Sequence, residues 1–399
     1  MTFKVLAIIV SYEEIYQLTK ILKVEKNNKL EMNITGATPE LSPDELTLHL
    51  VASGVIKLAE NVKNNQALKL PYEKEIQRGL DRVVLNCLRQ GQKPPQGIPD
   101  LLSWCRKPLV EWFLDLPQDV ILPNDKLLDG QNPTELCEEW AVTGSDVEAE
   151  ITQKQLLLNV IGICRLENAQ DSYVDFRSLL IQKPVLTEFE LLQHTMEPSL
   201  QLLHEQIKTA YEKAPESHSL NGYFHCCGNC GNLMLLTVEE DLVCVQERCR
   251  GKNVRKSSIQ IPVRHQVYWL KRGLRRFIAA PGVAELKLAD KLQKLGVEVQ
   301  LWPNYDAYDL RIVFPDKETW SVDVKDWVNP FLLARKVSQA QPIPNDGWVK
   351  GYFVFPNHRR KQRSDYKRAF CNHCRLPKDI KVKFEDEMVR DVRKKLAKC

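Results

Sequence analysis

Apolar residues recur at helical spacing through the first half of the chain and change to strand-like alternation towards its end. Ser42-Pro43-Asp44-Glu45 gives a cap, a first-turn proline and first-turn acids. Leu46, Leu48, Leu50, Val51, Val55, Ile56 and Leu58 follow, and predict a helix. Further helices are predicted over 72–90, from Pro133, over 151–161 and over 187–214, with a short strand at 4–10 and a helix at 13–23 before them. The segment 91–99 is a turn-rich break, and 100–123 alternates prolines with Trp104, Trp112 and Phe113. From about Pro281 the pattern reads helix 283–295, strands 297–302, 310–314 and 319–325, helix 330–339 and strand 351–355. That succession is an α/β pattern.

The 399 residues are enough for several domains. No apolar run reaches the ~18–20 residues of a membrane-spanning helix. The six-residue run Val5–Val10 lacks the features of a secretory signal, so a cytoplasmic protein is expected. Residues 1–200 carry 20 Lys+Arg and 29 Asp+Glu (net −9), and residues 201–399 carry 36 and 23 (net +13). The basic half is expected to meet nucleic acid and the acidic half a protein partner. Segregation of surface charge by domain is the plain alternative.

Five of the twelve cysteines lie between Cys226 and Cys249. In a reducing compartment such a cluster indicates metal before disulfides. Cys227-Gly-Asn-Cys230-Gly is a knuckle whose two thiolates can bite one tetrahedral zinc ion, and Cys244 with Cys249 forms a second, looser pair. Cys226 or His225 could replace one ligand. Strands at 232–238 and 241–245, joined by a Glu239-Glu240 turn, make a ribbon with its ligands at one end. Four thiolates leave no open coordination position, so the zinc is structural. Cys371-Asn-His-Cys374 has one further bite, with Cys399 or His358 as completions, but reads better as a helical turn with free thiols.

The sharpest signal lies between Glu285 and Lys325. On a strand Asp323 and Lys325 share a face, while Trp320, Val322 and Val324 point into a core. Asp309 begins the preceding strand, and the Pro315–Glu318 turn brings it back towards Asp323. Two converging carboxylates repel unless a divalent cation sits between them. Glu285 lies above the apolar stripe Leu288, Leu292 and Leu295, where an unpaired carboxylate is costly. Asp309 and Asp323 are the expected Mg²⁺ or Mn²⁺ ligands, Lys325 the group that positions water, and Glu285 a support. Asp306 and Asp326 could replace or assist them, and are expected to be dispensable. Two basic tracts are the expected DNA contacts: Arg255, Lys256, Lys271, Arg272, Arg275 and Arg276, interleaved with aromatics, and Arg359, Arg360, Lys361 and Arg363. A generic solvated basic surface is the alternative.

The order helix-Glu285, strand, Asp309, hairpin, Asp323-x-Lys325 resembles the PD-(D/E)xK, or restriction-endonuclease-like, nucleases. Tyr308 stands where that motif has proline. The whole layout, with Trp104-Cys-Arg-Lys-Pro in a helical first half and a cysteine knuckle before the α/β region, resembles the restriction-endonuclease component encoded beside pPIWI-RE proteins and a DinG-type helicase in bacterial three-gene islands. The resemblance implies three regions. A mostly α-helical partner-docking region spans 1–215, a zinc ribbon with a basic tail 223–262, and an α/β nuclease domain with a mixed sheet flanked by helices 263–399. It further implies a metal-dependent DNA endonuclease acting in defence against invading DNA, with RNA–DNA hybrids as a further substrate and PIWI/argonaute-like and helicase partners. The alternative is a non-catalytic zinc-ribbon subunit for DNA binding and assembly.

Overall fold

The structure is a computed structural model and describes residues 42–63, 70–116, 120–143, 147–236, 241–250, 258–339, 343–376 and 378–398. The strand expected at 4–10, the helix at 13–23, the Glu239-Glu240 turn, Arg255, Lys256 and Cys399 lie outside these residues.

The helical half opens with α1 (Pro43–Lys63) and α2 (Lys74–Arg89). Ser42 and Glu45 cap α1 reciprocally: the Glu45 amide donates to Ser42 Oγ, and the Ser42 amide donates to the Glu45 carboxylate. The next main helix is α3 (Glu135–Thr143), which packs on α1 around Leu48, Val51, Trp112 and Trp140. A helix at Val147–Leu166 follows, and then α4 (Gln170–Gln182), which the sequence pattern did not single out. The expected continuous helix over 187–214 is instead Glu188–Thr195, a 3-10 turn and His204–Ala210. Pro198 removes an amide and a helical φ/ψ neighbour at the break. The chain is extended on both sides, in β1 (Val185–Thr187) and β2 (Tyr211–Lys213).

The ribbon consists of β3 (Tyr223–Cys226), β4 (Met234–Leu236), β5 (Leu242–Cys244) and β6 (Ile259–Pro262), paired as β3–β6 and β4–β5. It is followed by β7 (Val267–Leu270), which pairs antiparallel with both β1 and β2. Lys271, the first described residue of the tract expected to face DNA, directly follows this central strand, which ties the tract to the helical half.

The C-terminal sheet runs in the order β8 (Glu298–Leu301), β9 (Leu310–Val313), β10 (Thr319–Val324), β11 (Lys350–Phe355) and β12 (Ile380–Phe384). The first three strands are antiparallel, and β10, β11 and β12 are parallel. One face carries Ile312, Val322, Val324 and Val354. It is covered by α5 (Ala280–Gln293) through Leu288 and Leu292, and by a C-terminal helix, Glu385–Leu396, through Met388 and Val392. The other face carries Phe353, Phe355 and Val382, and packs on Leu333 of α6 (Pro330–Gln339) and on Tyr366 and Phe370. Gly296, at φ +94°, ends the turn after α5 in the left-handed conformation that glycine adopts without a Cβ penalty.

Candidate active site and cysteine centre

Strand β10 positions Asp323 and, just past its end, Lys325. The Lys325 ammonium lies 2.6 Å from the Asp323 carboxylate. Pairing of Leu310 with Val322 places Asp309 beside them, and Asp309 Oδ2 accepts the Val324 amide at 2.6 Å. Glu285 reaches the same end of the sheet from the buried face of α5 and is 2 % exposed. All four residues singled out in the sequence therefore converge.

The electrostatics describe a centre with excess negative charge. Burial, with Glu285 and Asp323 close by, pushes the Asp309 carboxyl well above its usual range. Burial also raises Glu285, although Arg177 pulls it back. Burial disfavours the Lys325 charge, yet Asp323 and Asp309 outweigh that and raise its pKa. Hard oxygen donors in such surroundings fit Mg²⁺ or Mn²⁺. The groups that would hold it are the second Asp309 oxygen and Asp323, which an ion would share with Lys325, and a bound ion would act there as a Lewis acid on phosphate.

Sequence reasoning missed Arg177. This residue of α4 is 5 % exposed. One guanidinium nitrogen donates to both Glu285 oxygens at 3.1 and 3.3 Å and lies 3.8 Å from Asp309. The other nitrogen is paired with Asp306. The Arg177 guanidinium lies over the Trp302 ring at 4.9 Å, and Trp302 Nε1 donates to Glu285 at 2.6 Å. Nothing in a single cation within a mixed helix marks this role in the sequence.

Asp306 and Asp326 are not bystanders. Asp306 completes the Arg177 cage. Asp326 is buried and accepts from Arg359 Nε at 2.6 Å, with His358 at 3.1 Å and Arg248 at 3.6 Å. Against the raising effect of burial, Arg359 first and then its other partners hold its carboxyl far below the usual range.

The basic tracts divide. Arg272 pairs with Glu60 at 2.6 Å and Glu138 at 3.2 Å, and Arg276 with Glu138 at 2.9 Å and Glu139 at 3.0 Å. Arg275 is buried 4.0 Å over the Trp269 ring. Arg359 is buried on Asp326, and Arg363 bonds Asp365 at 2.8 Å. The structure therefore places these five in internal contacts that fix neighbouring elements, and not on an open surface. Lys361 is exposed, Arg360 is exposed while paired with Asp386, and Lys271 is half-buried. A cleft between α5 and the sheet is lined by Arg248, Lys287, Val324, Pro356, His358 and the acidic Glu385, and none of Glu285, Asp309, Asp323 and Lys325 lines it.

In the ribbon, Cys227, Cys230, Cys244 and Cys249 bring one sulfur each within 4.8 Å of the others. Gly231, at φ +71°, turns the first knuckle, and Asn229 donates to the Cys249 sulfur at 3.0 Å. Four convergent soft thiols fit one tetrahedral zinc ion. Cys226 and His225 stand in β3, outside that group. Cys371 lies on the helix Tyr366–His373, and Cys374 packs in the core near Ser338; neither belongs to a group of three or more gathered ligands among the described residues.

Residues 282–399 match the family model described as a REase associating with pPIWI_RE, which makes the sheet bearing the carboxylates and Lys325 a restriction-endonuclease-associated domain. Residues 47–187 match the model described as pPIWI_RE three-gene island domain Y. Together the two matches support assigning the chain to the restriction-endonuclease-like components of pPIWI-RE islands. No curated protein and no solved structure matches it. Among the described residues no helix is long and apolar enough to cross a membrane.

Proposed function

We propose that the chain is a Mg²⁺- or Mn²⁺-dependent DNA endonuclease of a cytoplasmic defence complex, with a structural zinc ribbon. The observation that carries this reading is the convergence of Asp309, Asp323 and Lys325 at the end of β10. The helix–three-strand–helix–strand order around it supports a restriction-endonuclease-like fold. Asp309 and Asp323 would hold the ion that polarises the phosphate. Lys325, kept protonated by Asp323, orients the attacking water and balances charge on the phosphoryl oxygens. Arg248, Lys287 and His358 line the cleft that would receive the backbone, with Lys361 and Arg360 on the exposed basic surface. Residues 1–215 would dock the PIWI-like and helicase partners, 223–262 hold zinc, and 263–399 cut.

Plasmid nicking in Mg²⁺ or Mn²⁺, with island partners present, tests the reading. Asp323→Ala should abolish nicking while DNA binding persists, because a metal ligand and a negative charge are both lost. Lys325→Ala should abolish nicking with the divalent metal still bound. Nicking by Asp323→Ala at the parental rate would refute the site. A parent chain that binds DNA but never cuts it would leave the DNA-binding subunit as the function.

A further inference from the structure

We infer that Arg177 is a built-in cation of the carboxylate centre, a positioning residue that supplies from the helical half the positive charge a second divalent ion would otherwise bring. The inference rests on the endonuclease reading and specifies how its centre is charged.

Three carboxylates, those of Glu285, Asp306 and Asp309, surround one guanidinium. Burying a cluster of this kind without a counter-charge would be prohibitive, and the guanidinium supplies one without needing a bound ion. Both of its terminal nitrogens are held by carboxylates. It lies over Trp302, whose indole N–H takes one Glu285 oxygen, and Arg177 donates to both oxygens of the same carboxylate. Glu285 is therefore held by two protein donors, and an ion would have to displace them to take it as a ligand. Asp309 differs: one oxygen accepts the Val324 amide, and the other is 3.8 Å from Arg177, beyond a hydrogen bond. That Asp309 oxygen is open to an ion, and Asp323, whose two oxygens are shared only with the Lys325 ammonium at 2.7 and 2.6 Å, is the second ligand, enough for a single exchangeable ion that keeps water in its remaining positions.

The arrangement also joins the two matched regions. Arg177 lies inside residues 47–187, and its carboxylate partners inside 282–399. The centre is thus composite within one chain, and domain Y contributes to it directly.

The full-length zinc-loaded chain is titrated with Mn²⁺, and bound ions are counted by electron paramagnetic resonance. Wild type should bind one Mn²⁺ per chain. Arg177→Met should bind two, or one at least tenfold more tightly, because Glu285 is released and a repelling charge is gone. Arg177→Lys should stay at one. A merely structural arginine would change folding and not the count. Glu285→Gln, which serves if Arg177→Met does not fold, should change Mn²⁺ affinity less than threefold. Two ions on wild type, an unchanged count and affinity on Arg177→Met, or a tenfold loss on Glu285→Gln would each overturn the inference. If wild type binds one Mn²⁺ but never cuts DNA, the endonuclease reading fails and this one stands. If it cuts with two ions bound, the reverse holds.

Discussion

Asp326 sits one residue past Lys325 and accepts the Arg359 guanidinium at 2.6 Å, both side chains being 3 % exposed. Removing one member of such a pair leaves the other charge buried, which costs about 3–5 kcal/mol. Asp326→Asn is therefore expected to lower stability by about 3 kcal/mol, since the amide keeps part of the hydrogen bonding. Urea unfolding measures it, and a midpoint equal to wild type would show that Glu135 alone satisfies Arg359. His49 gives a pH effect of defined sign. Burial against Trp140 lowers its pKa from 6.5 to about 4, although its ring nitrogen lies 2.5 Å from the Trp140 carbonyl. The unfolded chain takes up the proton first on acidification. The stability due to neutral His49 is thus complete above pH 6.5 and is lost as pH falls towards 4, about 3 kcal/mol across that window. His49→Gln should lose correspondingly less stability between pH 7 and pH 4.5. Equal losses in both proteins would assign the effect elsewhere.

At the scale of elements, legibility followed local periodicity. The α5 stripe, the three antiparallel strands and α6 were readable because one buried face repeats within each element. The alternation Ile380, Val382, Phe384 of β12 was equally present in the sequence, although it was not among the strands expected. Arg177 and the partners of Arg272 and Arg276 were not readable, since their acids lie more than 100 positions away, and Arg359 adds to the nearer Asp326 a contact with Glu135, 224 positions away. The crossing of α1 and α2 carries its own test. A Cβ at Gly54 would stand 2.6 Å from the Ile76 backbone, and one at Gly79 3.1 Å from the Val51 amide nitrogen. Backbone cannot yield as a flexible side chain can, so Gly54→Ala should cost about 1–3 kcal/mol by thermal unfolding. An unchanged melting temperature would mean that the helices separate freely. In the ribbon, metal analysis should find one zinc per chain, and Cys230→Ser should lose it and reduce soluble yield. Normal stability without zinc would refute a structural role.

Across the whole molecule the charge asymmetry has an internal explanation. Glu60, Glu135, Glu138 and Glu139 of the acidic half receive Arg272, Arg276 and Arg359 of the basic half, and Glu45 of α1 pairs with Arg335 of α6 at 3.2 Å. Glu139 also accepts the amides of Val328 and Asn329, just beyond the active strand. Of the first-half aromatics, Trp112 is buried and Trp104 packs against the same core, whereas Phe113 is exposed. A chain beginning near Leu220 would lack those acids, Arg177 and the apolar neighbours of Ile278 and Trp302. It is expected to lose cooperative thermal unfolding, which circular dichroism would detect. A sharp native-like melt of that fragment would show that the sheet domain stands alone.

The small sheet β1–β7–β2 also has a bearing on chain architecture. The Ala214 amide donates to the Val267 carbonyl at 2.8 Å, so the path leaves for the ribbon and returns from it at almost the same point. Topologically the cysteine module is an insertion closed at its base, a loop enlarged into a metal-bound lobe. Its length could change, or its sequence be exchanged for that of another lobe, without altering the register of either flanking strand. Within such a lineage the lobe is the part free to change length, whereas Arg248 and Arg250, which reach Asp326 and Asp129, must change with the bodies they touch.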